Sequence, residues 1–285
     1  LSTYTQTWSG QTTGANSTTH TNRYASETSI SVENPAIGEQ DSRVLRFSTG
    51  DSGIQLQSMD AVDGDANRAN CEIVGRFQCA SDDDNQAYLI GRASGSGTSE
   101  TFYYCGIRST GVFNIGRYNA GTFSNIADGP NVDAAGGWFD QFFDTFNFVP
   151  TDEWLYMRLR INGTGATVTL QARIWSQHQL EPTTWDIDTT DTSGSRITAA
   201  GWVGVGRLVH TGNVYWDAMG VGTNGDAAPI PTSTTPVRVT AADGQVLYKP
   251  TIGAARVTAV DAMVLYKVAG PRAQTVVPII TTSYD

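Results

Sequence analysis

The sequence predicts an all-β protein, built as an antiparallel sandwich or barrel. Three observations lead there. Only 16% of the 285 residues are charged, 10% are aromatic and 30 are Gly; that is the balance of a pleated, half-buried chain, not of a disordered one. Apolar and polar residues alternate at a period of two along most of the chain. Turn signals break that alternation roughly every ten to fifteen residues, the spacing of short strands in a two-sheet or closed architecture.

The elements follow in order. Val44–Phe47 reads as a short strand, and Cys71–Cys79 alternates more strongly. Ser81-Asp82-Asp83-Asp84-Asn85 is a turn and leads into Ala87–Arg92. Gly95–Thr98 is a second turn, before the strand Thr101–Ile107, and a hairpin runs through Phe113–Tyr118. One stretch departs from the period: Trp138, Phe139, Phe142, Phe143 and Phe146 recur at helical spacing, which predicts a short helix ending before Pro150. Strands resume at Trp154–Ile161. Asn162-Gly163 turns the chain back, and Thr167–Trp175 pairs with the strand before it. Gly201–Gly206 and Val214–Val221 are the next two strands.

From Trp154 to Gly222 these segments arrive in a recognisable order. A Trp-led strand and an Asn-Gly hairpin precede a strand ending Ala172-Arg173-Ile174-Trp175. Glu181–Ser193, Ala200–Arg207 and Val214–Gly222 follow. This order resembles the C-terminal half of a concanavalin-A-like (laminin-G-like) jelly roll. The resemblance implies two facing antiparallel sheets, with the last strand returning beside the first. Residues 1–222 are therefore expected to form the jelly roll, and 223–236, with Pro229, Pro231 and Pro236 among Thr and Gly, a linker.

Residues 237–285 carry an internal repeat. Arg238–Lys249 and Arg256–Lys267 match at nine of twelve positions, at an offset of 18. Two copies are fewer than a repeat array needs to bury its own core, so the segment is expected to be β-rich and to pack on something else. Leu247, Tyr248, Leu265 and Tyr266 are its expected assembly contacts. Tandem repeats of this form after a jelly roll resemble the C-terminal repeats of tailed-bacteriophage virion proteins.

Charge and motif content exclude several functions. A net charge of −10 opposes sequence-independent nucleic-acid binding, which rests on Lys and Arg at phosphates. No run is apolar over the length of a membrane span, and no basic stretch leads into an apolar core as in a signal peptide. Glycoside hydrolysis needs two carboxylates across the sugar bond. The nearest pairs, Asp186 with Asp188 and Asp152 with Glu153, do not form the Glu-x-Asp-x-Glu type of motif used by jelly-roll hydrolases. His20, His178 and His210 lie far apart and carry no metal-ligand spacing. The chain is expected not to be an enzyme.

The remaining candidate sites are an ion site and an aromatic surface. No cofactor is required, but Asp63, Asp65 and Asn67 space three oxygens as a calcium loop does. Arg68 and Val74 stand where that loop needs Gly and Glu, so an acidic turn without metal is the competing reading. Asp217 matches a position where jelly rolls of this class carry an Asp near a structural calcium. Trp138, Phe139 and Phe142, with Tyr118 and also Tyr103 and Tyr104, could stack on a glycan or cover a subunit contact. Cys71, Cys79 and Cys105 read as buried thiols, with Cys71 and Cys79 on one strand and beyond disulfide reach of each other.

These features lead to one expectation. The chain is a virion structural protein (tail, fibre or capsid decoration) on the particle surface, contacting other virion proteins. It is a homo-oligomer such as a trimer and adheres to a host-surface glycan or stabilises the particle. The alternative is a carbohydrate-active enzyme or the binding module of a secreted glycan-degrading protein.

Overall fold

The computed structural model describes residues 2–8, 11–12, 17–23, 30–33, 43–48, 54–65, 68–79, 86–95, 99–107, 111–131, 154–177, 179–208 and 213–231, together with 245–247 and 263–265. The chain divides into two compact units, Leu1–Pro231 and Thr232–Asp285.

The first unit is a two-sheet antiparallel jelly-roll sandwich. Its strands are β1 (Ser2–Thr7), β2 (His20–Asn22), β3 (Ile30–Glu33), β4 (Val44–Phe47), β5 (Gln55–Met59), β6 (Cys71–Cys79), β7 (Gln86–Ser94), β8 (Thr101–Ile107), β9 (Val112–Asn119), β10 (Thr122–Asn131), β11 (Leu155–Asn162), β12 (Val168–Ser176), β13 (Ile187–Asp191), β14 (Trp202–Leu208) and β15 (Val214–Thr223); a single helical turn, α1 (Asp60–Asp63), follows β5. The first sheet runs β13-β12-β11-β6-β15-β4-β3, and β1 also pairs with β15. The second runs β10-β9-β8-β7-β14-β5-β2. The strands expected at Val44–Phe47, Cys71–Cys79 and Thr101–Ile107 have those bounds.

The last strand of the sandwich does return beside the first. β15 lies along β6 on one edge and is shared on the other by two short strands: β4 pairs with Val214–Trp216 and β1 with Ala218–Thr223. A bulge at Asp217 marks the handover, because Trp216 opposes Phe77 while Ala218 opposes Arg76.

Strand alternation accounts for the core. Cys71, Ile73, Phe77 and Cys79 of β6 face inward with Leu155, Met157, Leu159 and Ile161 of β11, and with Leu89, Tyr103, Cys105, Ile115, Val205 and Trp216. A Cβ on Gly75 would stand 2.6 Å from the Trp216 ring, so this glycine makes room for the indole. The three cysteines are free and buried. Burial pushes the Cys71 and Cys79 thiols up to about 12 and that of Cys105 upward as well.

The unit does not end where the sequence suggested. The expected linker begins at Thr223, but residues through Pro231 belong to the sandwich. Asn224 and Gly225 take positive φ, 58° and 82°, and reverse the chain after β15. The segment then lies back on the outer face of the first sheet. A Cβ on Gly220 would stand 1.9 Å from the Pro229 carbonyl oxygen, and one on Gly222 would stand 2.3 Å from that of Asp226. Those two glycines are what allow the backbone to lie so close.

In the second unit, β16 (Gln245–Leu247) and β17 (Met263–Leu265) pair in parallel. Tyr248, Tyr266 and the predicted helix around Trp138–Phe148 lie outside the described residues.

A chain ending at Pro231 is expected to fold alone with the cooperativity of the first unit. A chain ending at Gly222 is expected to lose roughly 3–5 kcal/mol, because it strips partners from buried charges beneath the returning segment. Scanning calorimetry of the two chains checks this; equal midpoints would show that the segment contributes nothing.

Candidate functional site

The outer face of the first sheet is unusual in being both charged and covered. Residues that alternate with the core positions point outward: Glu72, Val74 and Arg76 from β6, Tyr156, Arg158 and Arg160 from β11, Arg173 and Trp175 from β12. Glu72, Arg76 and Arg158 are nevertheless buried. Register explains who meets whom, since Glu72 lies opposite Arg160 on one side and Gly222 on the other.

Glu72 is the hub. Its Oε1 accepts from Arg158 and, at 3.1 Å, from the Ala228 N–H; its Oε2 accepts from Arg160. Arg158 also donates to the Ala228 carbonyl at 2.8 Å and to Glu181 at 2.9 Å. Arg173 pairs with Glu181 as well. One carboxylate therefore ties β6 and β11 to the returning segment, and a second, Glu181, ties β11 and β12 to the loop before β13. Beside the hub, Ala228 packs on Val74 and Trp175, and Tyr156 stacks on Trp175 with ring centroids 5.3 Å apart.

A cleft of about 140 Å³ opens at the end of this network. It is lined by Asn70, Glu72, Arg160 and Asn162, and by Gly225 and Asp226 of the reversing turn. Asn70 and Asn162 each use the side-chain carbonyl on the Gly163 N–H, at 2.9 and 3.0 Å. That leaves both amide nitrogens as donors. Asp226 accepts the Ser2 N–H through Oδ2 at 2.9 Å. The Arg160 side chain is 39% exposed, and its guanidinium lies 4.8 Å from the centre of the Trp185 ring. Amide donors, a carboxylate acceptor, a fixed guanidinium and a neighbouring indole suit a ligand rich in hydroxyls.

The residues singled out in the sequence are distributed differently. Tyr118 is on the outer face of the second sheet, stacked on Phe102 at 4.8 Å, and 2% exposed. Tyr104 shares that face with Tyr88 and Phe123, whereas Tyr103 points between the sheets and donates to Asp191 at 2.8 Å. As placed, the Tyr118 ring is packed and not presented to solvent. Trp138, Phe139, Phe142 and Asn67 lie outside the described residues.

The candidate calcium oxygens are engaged elsewhere. Asp63 pairs with Arg23 at 2.5 Å. Asp65 accepts from Tyr4 at 3.1 Å and Thr223 at 2.5 Å. Asp217, at the bulge, pairs with buried Arg76 at 2.5 Å. Among the described residues no group of three or more His, Cys, Asp and Glu side chains is placed to hold a metal. Asp186 accepts the Ile174 N–H at 2.9 Å and Asp188 the Gln171 amide at 3.0 Å, so both fix the edge strand β13 to β12.

Sequence reasoning missed the cleft residues. A signal for two of them is present: Glu72 and Arg160, like Arg158 and Arg173 beside the cleft, are charges on the polar phase of strands whose other phase is wholly apolar; Asn70, Asn162 and Asp226 carry none.

One acid stands apart. Glu100, just before β8, is fully buried, and among the described residues neither carboxylate oxygen has a hydrogen-bond partner. Burial pushes its pKa up to about 8, with Arg23 pulling weakly the other way.

No protein-family model and no curated protein matches the sequence. Among solved structures the chain is similar to lectin II of Ulex europaeus, at 10% identity and TM-score 0.43, covering 78% of this chain and 98% of that one. It is also similar to the lectin of Bauhinia forficata in complex with GalNAc, at 9% identity and TM-score 0.42, covering 78% and 100%. A protein of unknown function from Shewanella oneidensis MR-1 matches at 12% identity and TM-score 0.40, covering 74% and 89%.

Two outcomes are expected from this geometry. Glu72→Gln should cost about 3–5 kcal/mol in denaturant titrations, because it leaves Arg158 charged and buried with part of its partner set gone; a loss below about 1 kcal/mol would mean the network is solvated. For Glu100, the folded state holds the proton more tightly than the unfolded state. Its contribution is therefore fully present below the unfolded pKa near 4.5 and is lost as pH rises through about 8. Glu100→Gln should flatten that alkaline decline, so the variant gains on the wild type between pH 5 and 8. Parallel stability curves would refute the assignment.

Proposed function

We propose that the chain is a non-enzymatic structural protein of a virus particle, whose jelly roll binds a host-surface glycan through the cleft lined by Asn70, Arg160, Asn162 and Asp226. The cleft is the observation that carries the glycan reading: two amide donors with no partner among the described residues, a carboxylate, and a guanidinium held against an indole. The C-terminal repeat supports the particle reading, as a segment suited to assembly and separate from the sandwich. The expected absence of catalysis is supported by the state of the nearby carboxylates. Of the two carboxylates that line the cleft, Glu72 has both oxygens held by arginines, while Asp226 accepts the Ser2 N–H through Oδ2; a glycosidase pair would need Glu72 released from those arginines.

Glycan-array screening of the full chain, followed by titration of the best ligand, tests the binding role. Arg160→Ala and Asn162→Ala should each weaken binding about tenfold or more, as expected for losing a charged or cooperative hydrogen bond. Glycan binding unmoved by either change would place the site elsewhere. Cleavage of the bound glycan would favour the carbohydrate-active enzyme. Particle purification with immunogold labelling of the chain tests the virion role; absence from particles would refute it.

A further inference from the structure

The repeats are joined in a way that fixes what can lie next to them. β16 and β17 are parallel, with Gln245 opposite Met263, Val246 opposite Val264 and Leu247 opposite Leu265. The register offset is 18 residues, the same as the offset between the two sequence repeats. Each repeat thus sets its Val-Leu pair beside the identical pair of the other. Residues 248–262 supply the dozen or more residues that a parallel crossover requires. The relation between the two repeats is a translation: one repeat, one rung.

A translation has a consequence that a two-fold relation lacks. The edge that β17 turns away from β16 offers the same backbone pattern and nearly the same residue order that β16 offers to β17. Among the described residues this sheet has two three-residue strands, well below the size that stands alone in water, and edge groups without a strand beside them are a template for another strand. The strand that fits this edge is one the protein already contains, because the pairing that joins β17 to β16 within the chain is repeated by any β16 brought alongside.

We infer that copies of this chain stack end to end through their C-terminal segments, with β17 of one copy pairing in parallel and in register with β16 of the next. The contact is heterologous: two different edges meet. It closes into a ring if the rotation per step allows and otherwise extends as a fibre. A symmetric bundle would instead place β16 beside β16. This inference rests on the repeat alone, so loss of glycan binding leaves it standing, and its failure leaves the cleft untouched.

The test uses two full-length variants, Gln245→Cys and Met263→Cys, made in chains that differ by a mass tag. Neighbouring strands lie about 4.8 Å apart, within the Cα separation a disulfide spans. The native cysteines are buried and stay out of the reaction under mild oxidation. Mixing the two variants and oxidising should give disulfide dimers that join unlike chains, at least fivefold over like-with-like dimers. A preponderance of 245–245 or 263–263 dimers would overturn the stacking in favour of a symmetric bundle, and absence of dimers would overturn it altogether. Sedimentation of the unmodified chain serves as an independent reading: mass should grow with concentration, and a monomer at all concentrations up to about 100 μM, where weak protein contacts of about 5–6 kcal/mol would be populated, refutes the inference.

Discussion

The first unit depends on one carboxylate. Glu72 sits on the outward phase of a central strand, yet it is buried, and it binds Arg158, Arg160 and the Ala228 N–H together. Without it, Arg160 would lose its carboxylate and buried Arg158 would keep only Glu181 as countercharge. With it, β6, β11 and the segment after β15 hold one register. A buried ion pair is a poor source of net stability, because desolvation offsets most of the Coulombic attraction. Its effect is selective: breaking it is costly, so arrangements that separate these charges are disfavoured. The two glycines of β15 complete the device, since Gly220 and Gly222 let the backbone close over the charges.

The same logic recurs at the far reaches of the sheets. Arg92, in a left-handed backbone position with φ of 53°, donates to the carbonyls of Ala69, Ile197 and Gly163 at 2.5–2.7 Å. Three loops from distant parts of the sequence are gathered by one planar donor set, which Lys could not reproduce. Asp191 at the end of β13 accepts from Tyr103 and Arg117, while the Tyr103 hydroxyl in turn accepts from the Ile197 N–H. Apolar packing makes the sandwich, and buried arginines and acids decide which loops close it.

This division explains what the sequence disclosed. The inward phase of β6, β8, β11, β12 and β15 is legible because every second residue is apolar. β1, β2 and β13 are not legible as strands, because polar residues dominate them; their pairing comes from the neighbours they meet. The cleft was illegible for a different reason. Asn70, the β11 pair Arg160 and Asn162, and Asp226 come from three separate segments, and only the turn at Asn224-Gly225 brings Asp226 back to the others. The same turn was read as the start of a linker, since Gly and Pro mark reversals as well as chain exits. Tyr118 was legible as an aromatic on a strand, but not the face it occupies, where Phe102 and Phe123 already pack against it.

The coupling between fold and cleft runs through Arg160. Its Nε–H is held by Glu72, and Glu72 is itself held by Arg158 and by the backbone of Ala228. A long side chain on a surface strand ordinarily loses much rotamer freedom on meeting a ligand. Here that loss is taken on folding, because the guanidinium is already fixed by the carboxylate and lies against Trp185. Asn70 and Asn162 are fixed in the same way through the Gly163 N–H. Each side chain that spends one of its polar groups on the fold leaves another, oriented, for a ligand, which is the arrangement that lowers the entropic cost of binding. The charges that the sandwich must bury to keep its register are therefore also what holds the cleft's donors in place.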